Sequence, residues 1–408
     1  MPNFLTRDLE IMFENVIDGF DAACVLSREA DTYFPDPKSM QRANDTYYRP
    51  QQYRSTVVTG VDISAQADTD IIQRQVPVTF RTPDNIRYSI NFLENRDPDL
   101  MARFGKAAAI DLAAAVDQNL FNVVMNQSAI VVRKVGAFSA NDVATAESTM
   151  LMRGVPASRE RKLFMSPLDY QVITQELGGR SYMGDVSKEA YMRSKVPDMA
   201  GFSTFRTDTV ANLPTIGTVT GTTISGNQSF TPSAMTGDLP TDNRRMTLVV
   251  AGANIANTKV GDAFTIANVN ALHNVTKADT GQLMTFRIIS GAGTANLVIT
   301  PAIITTGPYR NVSLQAATGA VVTFLNNATR PVNPFWAQGA VRLDYGNIKL
   351  DADAGIMVMN ATTAQGVPIS MMAQQNVMTG NMSVRMITRY ATTVVDPESC
   401  GIILANQT

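Results

Sequence analysis

DPDLMARFGKAAAIDLAAAVDQNLFNVVMNQ, residues 97–127, is the stretch that decides the fold. Asp97 is a good N-cap, and Pro98 stands at the first helical position, where a missing N–H costs nothing. Leu100, Phe104, Ala108, Leu112, Val116, Leu120 and Val124 follow at steps of four, and Met101, Ala115 and Val123 widen that stripe. Arg103, Lys106, Asp111, Gln118, Asn122 and Asn126 lie mostly off it. The spacing predicts one helix of about thirty residues, a rod of roughly 45 Å. Its alanine-rich interior allows close backbone approach, and one apolar stripe needs a broad surface to lie against. Either it is a core helix of a large enzyme or a strut across an extended, plate-like subunit, and the rest of the chain must choose.

The composition narrows the choice. A chain of 408 residues has room for two or three cores. Its hydrophobic content of 45% is ordinary, but its charged content of 17% is well below the usual quarter. Apolar surface is therefore expected to be covered by partners. The net charge of −2 sets up no global basic field for nucleic acid. Cys24 and Cys400 are far apart in sequence and form no CxxC pair, which fits free thiols in a reducing compartment. No signal-peptide pattern opens the chain and no run of eighteen apolar residues occurs, so the expected setting is cytoplasm with no membrane partner.

Outward from the long helix, residues 6–30 read as an amphipathic N-terminal helix. Leu9, Met12, Phe13, Val16, Ile17 and Phe20 share one face, and Asp8, Glu10, Glu14 and Asp18 another. Strand alternation fills residues 40–91, with Val76, Val78 and Phe80, a turn at Pro83-Asp84-Asn85, then Ile86, Tyr88 and Ile90. Between the strands lies a polar tip with Asp62, Asp68 and Asp70, followed by Arg74, and such a hairpin cannot fold alone. Ser139-Ala140-Asn141-Asp142 opens a second helix in capping-box fashion, and Ser166-Pro167-Leu168-Asp169 a third. After Glu189 no Glu occurs until Glu398. Within residues 215–333 the runs TVTGTTISG, RMTLVVAG, DAFTIANV, MTFRIISG, NLVITPAI and VVTFLN predict an all-β barrel or sandwich of about six strands, inserted into a host domain.

Catalytic patterns are scarce. The single histidine, His273, cannot by itself build a His-based metal site and reads as a loop histidine. Asp351-Ala352-Asp353-Ala354-Gly355 lacks the closing Glu of a calcium loop and reads as a turn. Arg153, Arg159, Arg161 and Lys162 read as a solvated helix end, with a polyanion contact as the alternative. Asp238, Asp242, Arg244 and Arg245 share an exposed loop of both signs, suited to reciprocal pairing across a two-fold axis. No catalytic, metal or cofactor-binding residues are assigned.

Several pieces together resemble one family. In order they are Ser39-Met40-Gln41-Arg42, Pro83-Asp84-Asn85, Pro167 with Asp169-Tyr170, Glu189-Ala190-Tyr191, Ala200-Gly201-Phe202 and Leu213-Pro214. Then follow Ser225-Gly226, Gln228-Ser229-Phe230 with Pro232, Asp242-Asn243-Arg244, Gly261-Asp262 and Phe335-Trp336-Ala337. This text resembles the major capsid (coat) proteins of short-tailed Salmonella-type phages, which carry the Hong Kong 97 fold plus an inserted β-barrel. The resemblance implies an α+β chain: an N-terminal arm (1–38), an extended hairpin (39–96), a spine helix and peripheral domain entering the axial domain (97–214), the inserted barrel (215–333), and the axial domain with the C-terminal return (334–408). It implies that Asp238, Asp242, Arg244 and Arg245 lie in a loop contacting a second copy. Asp62, Asp68, Asp70 and Arg74 are further contact candidates, and Leu100, Phe104, Leu112, Val116 and Leu120 pack the spine.

The implied function is a coat protein without enzymatic activity or cofactor, forming hexamers and pentamers of an icosahedral virion shell in the host bacterial cytoplasm. Implied partners are further copies of the chain, a scaffolding protein, a portal protein and, non-specifically, packaged double-stranded DNA. A weak charge agrees, since a strongly basic inner wall would hold DNA tightly. Two alternatives stand beside this: a cellular nanocompartment shell of the same fold, and a carbohydrate-binding or adhesin protein using the barrel. The barrel segment has only Phe230, Phe264, Phe286, Tyr309 and Phe324 as aromatics, which disfavours the last.

Overall fold

The computed structural model describes residues 5–35, 46–55, 57, 59–64, 71–91, 97–179, 193, 196–209, 211–346, 348, 350 and 356–408. The chain divides into two compact units, the first made of 1–47, 78–121 and 342–393, the second of 48–77, 122–341 and 394–408. These units cut across the segments expected from sequence. Residues 342–393 group with the arm and most of the long helix, whereas 394–408 group with the barrel and residues 122–214. Ser39–Arg42, Asp68, Asp70, Glu189–Tyr191 and Asp351–Gly355 lie outside the described residues.

In the first unit, helix α1 (Leu5–Ala23) buries Leu9, Met12, Phe13, Val16 and Phe20. Helix α2 (Pro98–Gln127) is the long helix expected, with Asp97 Oδ1 accepting from Asp99 N at 3.0 Å. The two helices meet at their smallest residues. A Cβ on Gly105 would stand 2.3 Å from the Met12 carbonyl oxygen, and one on Gly19 would stand 3.0 Å from Ala109 Cβ. Beyond α1 the chain turns, and the turn is capped by α2. Buried Asp117 accepts from three successive backbone N–H groups, Val25 (2.7 Å), Leu26 (3.1 Å) and Ser27 (2.9 Å). Those donors lead into the short 3-10 turn Ser27–Glu29.

Two sheets complete this unit. Met357–Thr362, Pro368–Gln375, Met382–Thr388 and Asp84–Ile90 lie in that order, all antiparallel. Asp31–Tyr33 pairs in parallel with Val341–Tyr345, which neighbours Tyr390–Val394. The expected turn at Pro83-Asp84-Asn85 is instead the start of a strand. Its partner is not the preceding hairpin but Met382–Thr388, nearly three hundred residues on, with Ile90 opposite Met382 and Asp84 opposite Thr388. Thr46–Pro50 and Gln75–Thr79 do form the expected hairpin.

The second unit holds a mixed sheet in the order Ile130–Val135, Cys400–Gln407, Arg330–Ala337, Arg161–Met165 and Phe202–Arg206. Helices α3 (Ala140–Met152) and α4 (Pro167–Gly178) cover it, and Val143, Ala146, Met150, Ile173 and Leu177 pack with Leu163, Phe335 and Ile403. Both helices start as their caps predict. Ser139 N donates to Asp142 Oδ2 (2.9 Å), and Asp169 N donates to Ser166 Oγ (3.2 Å) ahead of Pro167.

The inserted segment forms one six-stranded sheet, Val322–Phe324, Ala263–Leu272, Asp279–Ser290, Asn296–Thr300, Met246–Ala253 and Thr220–Ile224. A bridge between Thr223 and Val321 brings its two edges together, so the sheet is a nearly closed barrel. Each of the six β-branched runs became one of these strands. Phe264, Ile266, Phe286, Ile288, Leu297 and Ile299 fill its interior. Entry and exit are tied at a neck: Ile216 N donates to Asn326 O (2.9 Å), Thr215 N to Thr329 Oγ1 (2.9 Å), and Asn326 Nδ2 to both Pro214 O (2.9 Å) and Asp262 Oδ1 (2.8 Å).

Replacing Asp117 with Ala orphans three backbone donors, two of them buried, and each unsatisfied buried group costs about 1–3 kcal/mol. Urea unfolding of the unassembled chain should show a loss of about 3 kcal/mol or more; a loss below about 1 kcal/mol would contradict this capping role. Gly105→Val forces α1 off α2, and overpacking of this kind costs about 1–3 kcal/mol. Its signature should be faster hydrogen exchange in α1, with exchange in the barrel strands unchanged.

Candidate functional site

The loop at 233–245 is a small built structure on the barrel. Met235–Thr236 pairs with Leu239–Pro240 around a Gly237-Asp238 turn, and Gly237 has φ +62°, which favours glycine. Buried Asn243 closes the loop from below. Its Oδ1 accepts from Ser233 N (3.0 Å), and its Nδ2 donates to Ser233 O (2.9 Å) and Thr241 O (3.1 Å). Met235, Asp238 and Leu239 are left pointing into solvent.

The charged residues of this loop divide into two roles. Asp242 and Arg244 are joined by a two-pronged fork, Nε to Oδ1 and Nη2 to Oδ2, each 2.8 Å. Arg244 is buried and also donates to the Val394 carbonyl, while Arg245 Nε stands 3.5 Å from Asp242 Oδ2. Burial works to raise the Asp242 pKa, but Arg244 and then Arg245 hold it below the ordinary carboxylate range. These residues were expected on an exposed, two-signed loop. Instead, the short spacing between Asp242 and Arg244 lets them pair within one chain, so they shape the loop, and Asp238 is the acid on its outer face.

In the long hairpin, Asp62 is exposed and its pKa is lowered by hydrogen bonds from the Ser64 side chain and then from Ser64 N (2.9 Å). Its apolar neighbours are exposed as well: Tyr53, Val57, Val61, Ile63 and Ile71, with Val57 at 89%. Arg74 faces inward. Its guanidinium lies 4.6 Å from the Tyr309 ring centroid, and Nη2 reaches Asn243 O at 3.4 Å. Burial pushes its pKa down, with Glu398 opposing.

Along α2, Leu112, Val116 and Leu120 are buried, while Leu100 and Phe104 are half-buried; Phe104 sits 5.5 Å from the Tyr88 ring. The helix carries no basic residue in its last turn. The barrel supplies one. In Asp279–Ser290, Met284, Phe286 and Ile288 face the barrel interior, so Thr285 and Arg287 alternate outward, yet both are buried. Arg287 donates to the Met125 carbonyl and Thr285 to the Ala129 carbonyl. Arg153 Nη2 donates in turn to Thr285 Oγ1 at 2.9 Å.

Arg153 and Arg161 therefore do not form a solvated helix end, as the sequence suggested. Both are buried, and Arg161 is held by Glu147 (3.3 Å) and Val155 O (3.2 Å). Burial pushes the Arg287 guanidinium down to about 9 and that of Arg153 to about 10. Sequence reasoning missed Arg287 and Thr285; their only signal is a polar residue at alternate positions of MTFRIIS.

His273 caps its own turn, with Nδ1 accepting from Val275 N (3.2 Å) and Thr276 N (3.1 Å). Among the described residues no group of three or more His, Cys, Asp or Glu side chains is placed to hold a metal, and no helix is long and apolar enough to cross a membrane. Both cysteines are buried; burial pushes the Cys24 thiol up to about 12 and raises Cys400 well above its ordinary range. Iodoacetamide at pH 8 should leave both thiols unlabelled in the folded chain and label both in urea. Rapid native labelling of either, read by mass spectrometry, would contradict their burial.

The family model described as "P22 coat protein - gene protein 5" matches residues 3–405. The solved coat-protein I-domain of CUS-3 is 35% identical over 27% of this chain and 99% of its own, with a TM-score of 0.23. The capsid of cyanophage P-SCSP1u aligns over 94% of this chain and 89% of that one at 11% identity and TM-score 0.47. A Mycobacterium phage Che8 structure aligns over 92% and 91% at 10% identity and TM-score 0.45. With the family match spanning nearly the whole sequence, this chain belongs to the P22 coat protein family.

Proposed function

We propose that this chain is the repeating subunit of an icosahedral phage shell, built as hexamers and pentamers around a scaffolding protein and enclosing double-stranded DNA brought in through a portal. The family match over residues 3–405 carries this reading. Surface chemistry supports it. Among the described residues, the hairpin exposes five large apolar side chains between Tyr53 and Ile71, and the Asn376–Asn381 turn holds Val377 and Met378 at 93% and 94% exposure. Burying such groups between copies yields about 25 cal/mol per Å² of apolar area.

In this reading the loop at 233–245 meets a second copy through Met235, Asp238 and Leu239, with the Asp242–Arg244 fork keeping it in shape. Asp62 belongs to the contacting hairpin. Arg74 acts inside the subunit, against Tyr309 and Asn243. Assembly takes place in the host cytoplasm.

Negative-stain electron microscopy of the protein, alone and with its cognate scaffolding protein, tests the reading. Closed shells of uniform size that form only with scaffold are expected. Uniform small shells without any partner would point to a nanocompartment, and single subunits under both conditions would end the shell reading altogether. Leu239→Asp should lower shell yield about tenfold or more while leaving the urea midpoint of the unassembled chain unchanged, since a charge at the centre of a contact costs binding and not folding.

A further inference from the structure

The base of the long hairpin and the base of the loop at 233–245 meet within the second compact unit. Gln75, on the returning arm of the hairpin, pairs with Asp242 in an isolated parallel bridge. Beside it, Arg74 Nη2 donates to Asn243 O (3.4 Å), from a guanidinium 4.6 Å from the ring centroid of buried Tyr309. Two consecutive residues of the arm thus face two consecutive residues of the loop base.

A second path joins the same two elements. From the outgoing arm, Gln51 N donates to Arg74 O (3.0 Å) and Gln51 Nε2 to Val395 O (2.8 Å). From the loop, Arg244 donates to the Val394 carbonyl while its guanidinium grips Asp242. Adjacent carbonyls therefore take one donor from the loop and one from the hairpin. The bonds close a ring that runs from Arg74 to Gln51, Val395 and Val394, Arg244, Asp242 and back through Gln75. Other contacts hold the arms to the barrel without touching this loop. Arg54 Nη1 donates to Asn274 O (2.9 Å) and Tyr309 OH to Ile72 O (3.3 Å), and Ile72 packs against the barrel core.

We infer that this ring makes the hairpin base and the loop base one platform, with Arg74 and Asp242 as its positioning residues, so that the two exposed elements keep a fixed direction relative to each other. Neither element holds its direction alone. A two-stranded hairpin has little stability of its own. The paired segments of the loop, Met235–Thr236 and Leu239–Pro240, are shorter still. A single tether lets an element pivot about it, whereas two separate paths between the same elements do not. Apart from the Asp242–Arg244 fork, the links of the ring end on main-chain carbonyls or on the Gln75–Asp242 bridge, so the ring locates backbone and not only side chains.

The consequence for assembly rests on the shell reading: exposed apolar groups of the hairpin and Met235 and Leu239 of the loop would be presented at a set spacing, so a copy engaging one would find the other in place. The test is independent of that reading, because it uses the full-length, unassembled chain. Hydrogen exchange followed by mass spectrometry compares wild type with two variants. Arg74→Met keeps an unbranched side chain and removes the donors on the hairpin side; Asp242→Asn weakens the fork on the loop side. Each should speed exchange about tenfold in both segments, 72–77 and 239–245, while residues 284–288 in the barrel keep their protection. If one variant does not fold, the other decides alone, because each perturbs one element and is read on the other. Acceleration confined to the mutated element would overturn the proposal, since the two would then move separately. Unchanged exchange in both segments would overturn it too. So would an equal acceleration of residues 284–288, which would make Arg74 and Asp242 residues of general stability.

Discussion

A thirty-residue helix that ends inside protein must find partners for its last carbonyls, and this one has no cation of its own in the last turn. The second compact unit is arranged around that need. Arg287 reaches Met125 O in the last turn and Thr285 reaches Ala129 O two residues beyond the helix, both from the outer face of one barrel strand whose inner face is barrel core. Arg153 supports Thr285 from the end of α3, and Asn274 N donates back to Arg153 O at 3.0 Å. The inserted barrel is thus more than a passenger held by its neck. It satisfies one carbonyl in the last turn of the host's longest helix, that of Met125, and the buried guanidinium of Arg287 loses hydration to do so.

The same economy appears at the other end of the helix's work. Asp117, one turn before the stripe residue Leu120, satisfies three N–H groups of the turn after α1. Gly105 lets α1 approach to backbone contact. The arm is therefore fastened to α2 by polar groups in particular places, and apolar contact supplies area. A stripe alone permits sliding by a turn; a carboxylate on three named amides does not.

Local signals in the sequence foretold local structure well. Asp97-Pro98, Ser139 with Asp142 and Ser166-Pro167 each marked a helix start, because caps act within four residues. Six β-branched runs became six strands, since their alternation and turn residues are contiguous in the chain. What failed was everything set by distant partners. The Asp84–Ile90 strand looks like the continuation of a hairpin, and nothing near it names Met382–Thr388 as its neighbour. Arg153 and Arg161 look solvated because a run of cations usually is, and only the barrel and Glu147 bury them. In the loop at 233–245 the charges were visible, but their pairing was not: residues two apart can meet within a loop as readily as across an axis.

That pairing has a structural cost and a functional return. A fork between Asp242 and Arg244 removes two charges from the loop's outer surface and spends them on its shape. The outer surface then carries Met235 and Leu239 around one acid, Asp238. Charge pairs set register and encounter rate more than strength, whereas apolar groups on a rigid support supply strength that is insensitive to salt. A loop built this way holds its outer side chains in fixed positions, which lowers the ordering cost of any contact they make. Buried ions elsewhere in the chain act in the same way: Asp117 holds the turn after α1, and Arg161 is held against Glu147.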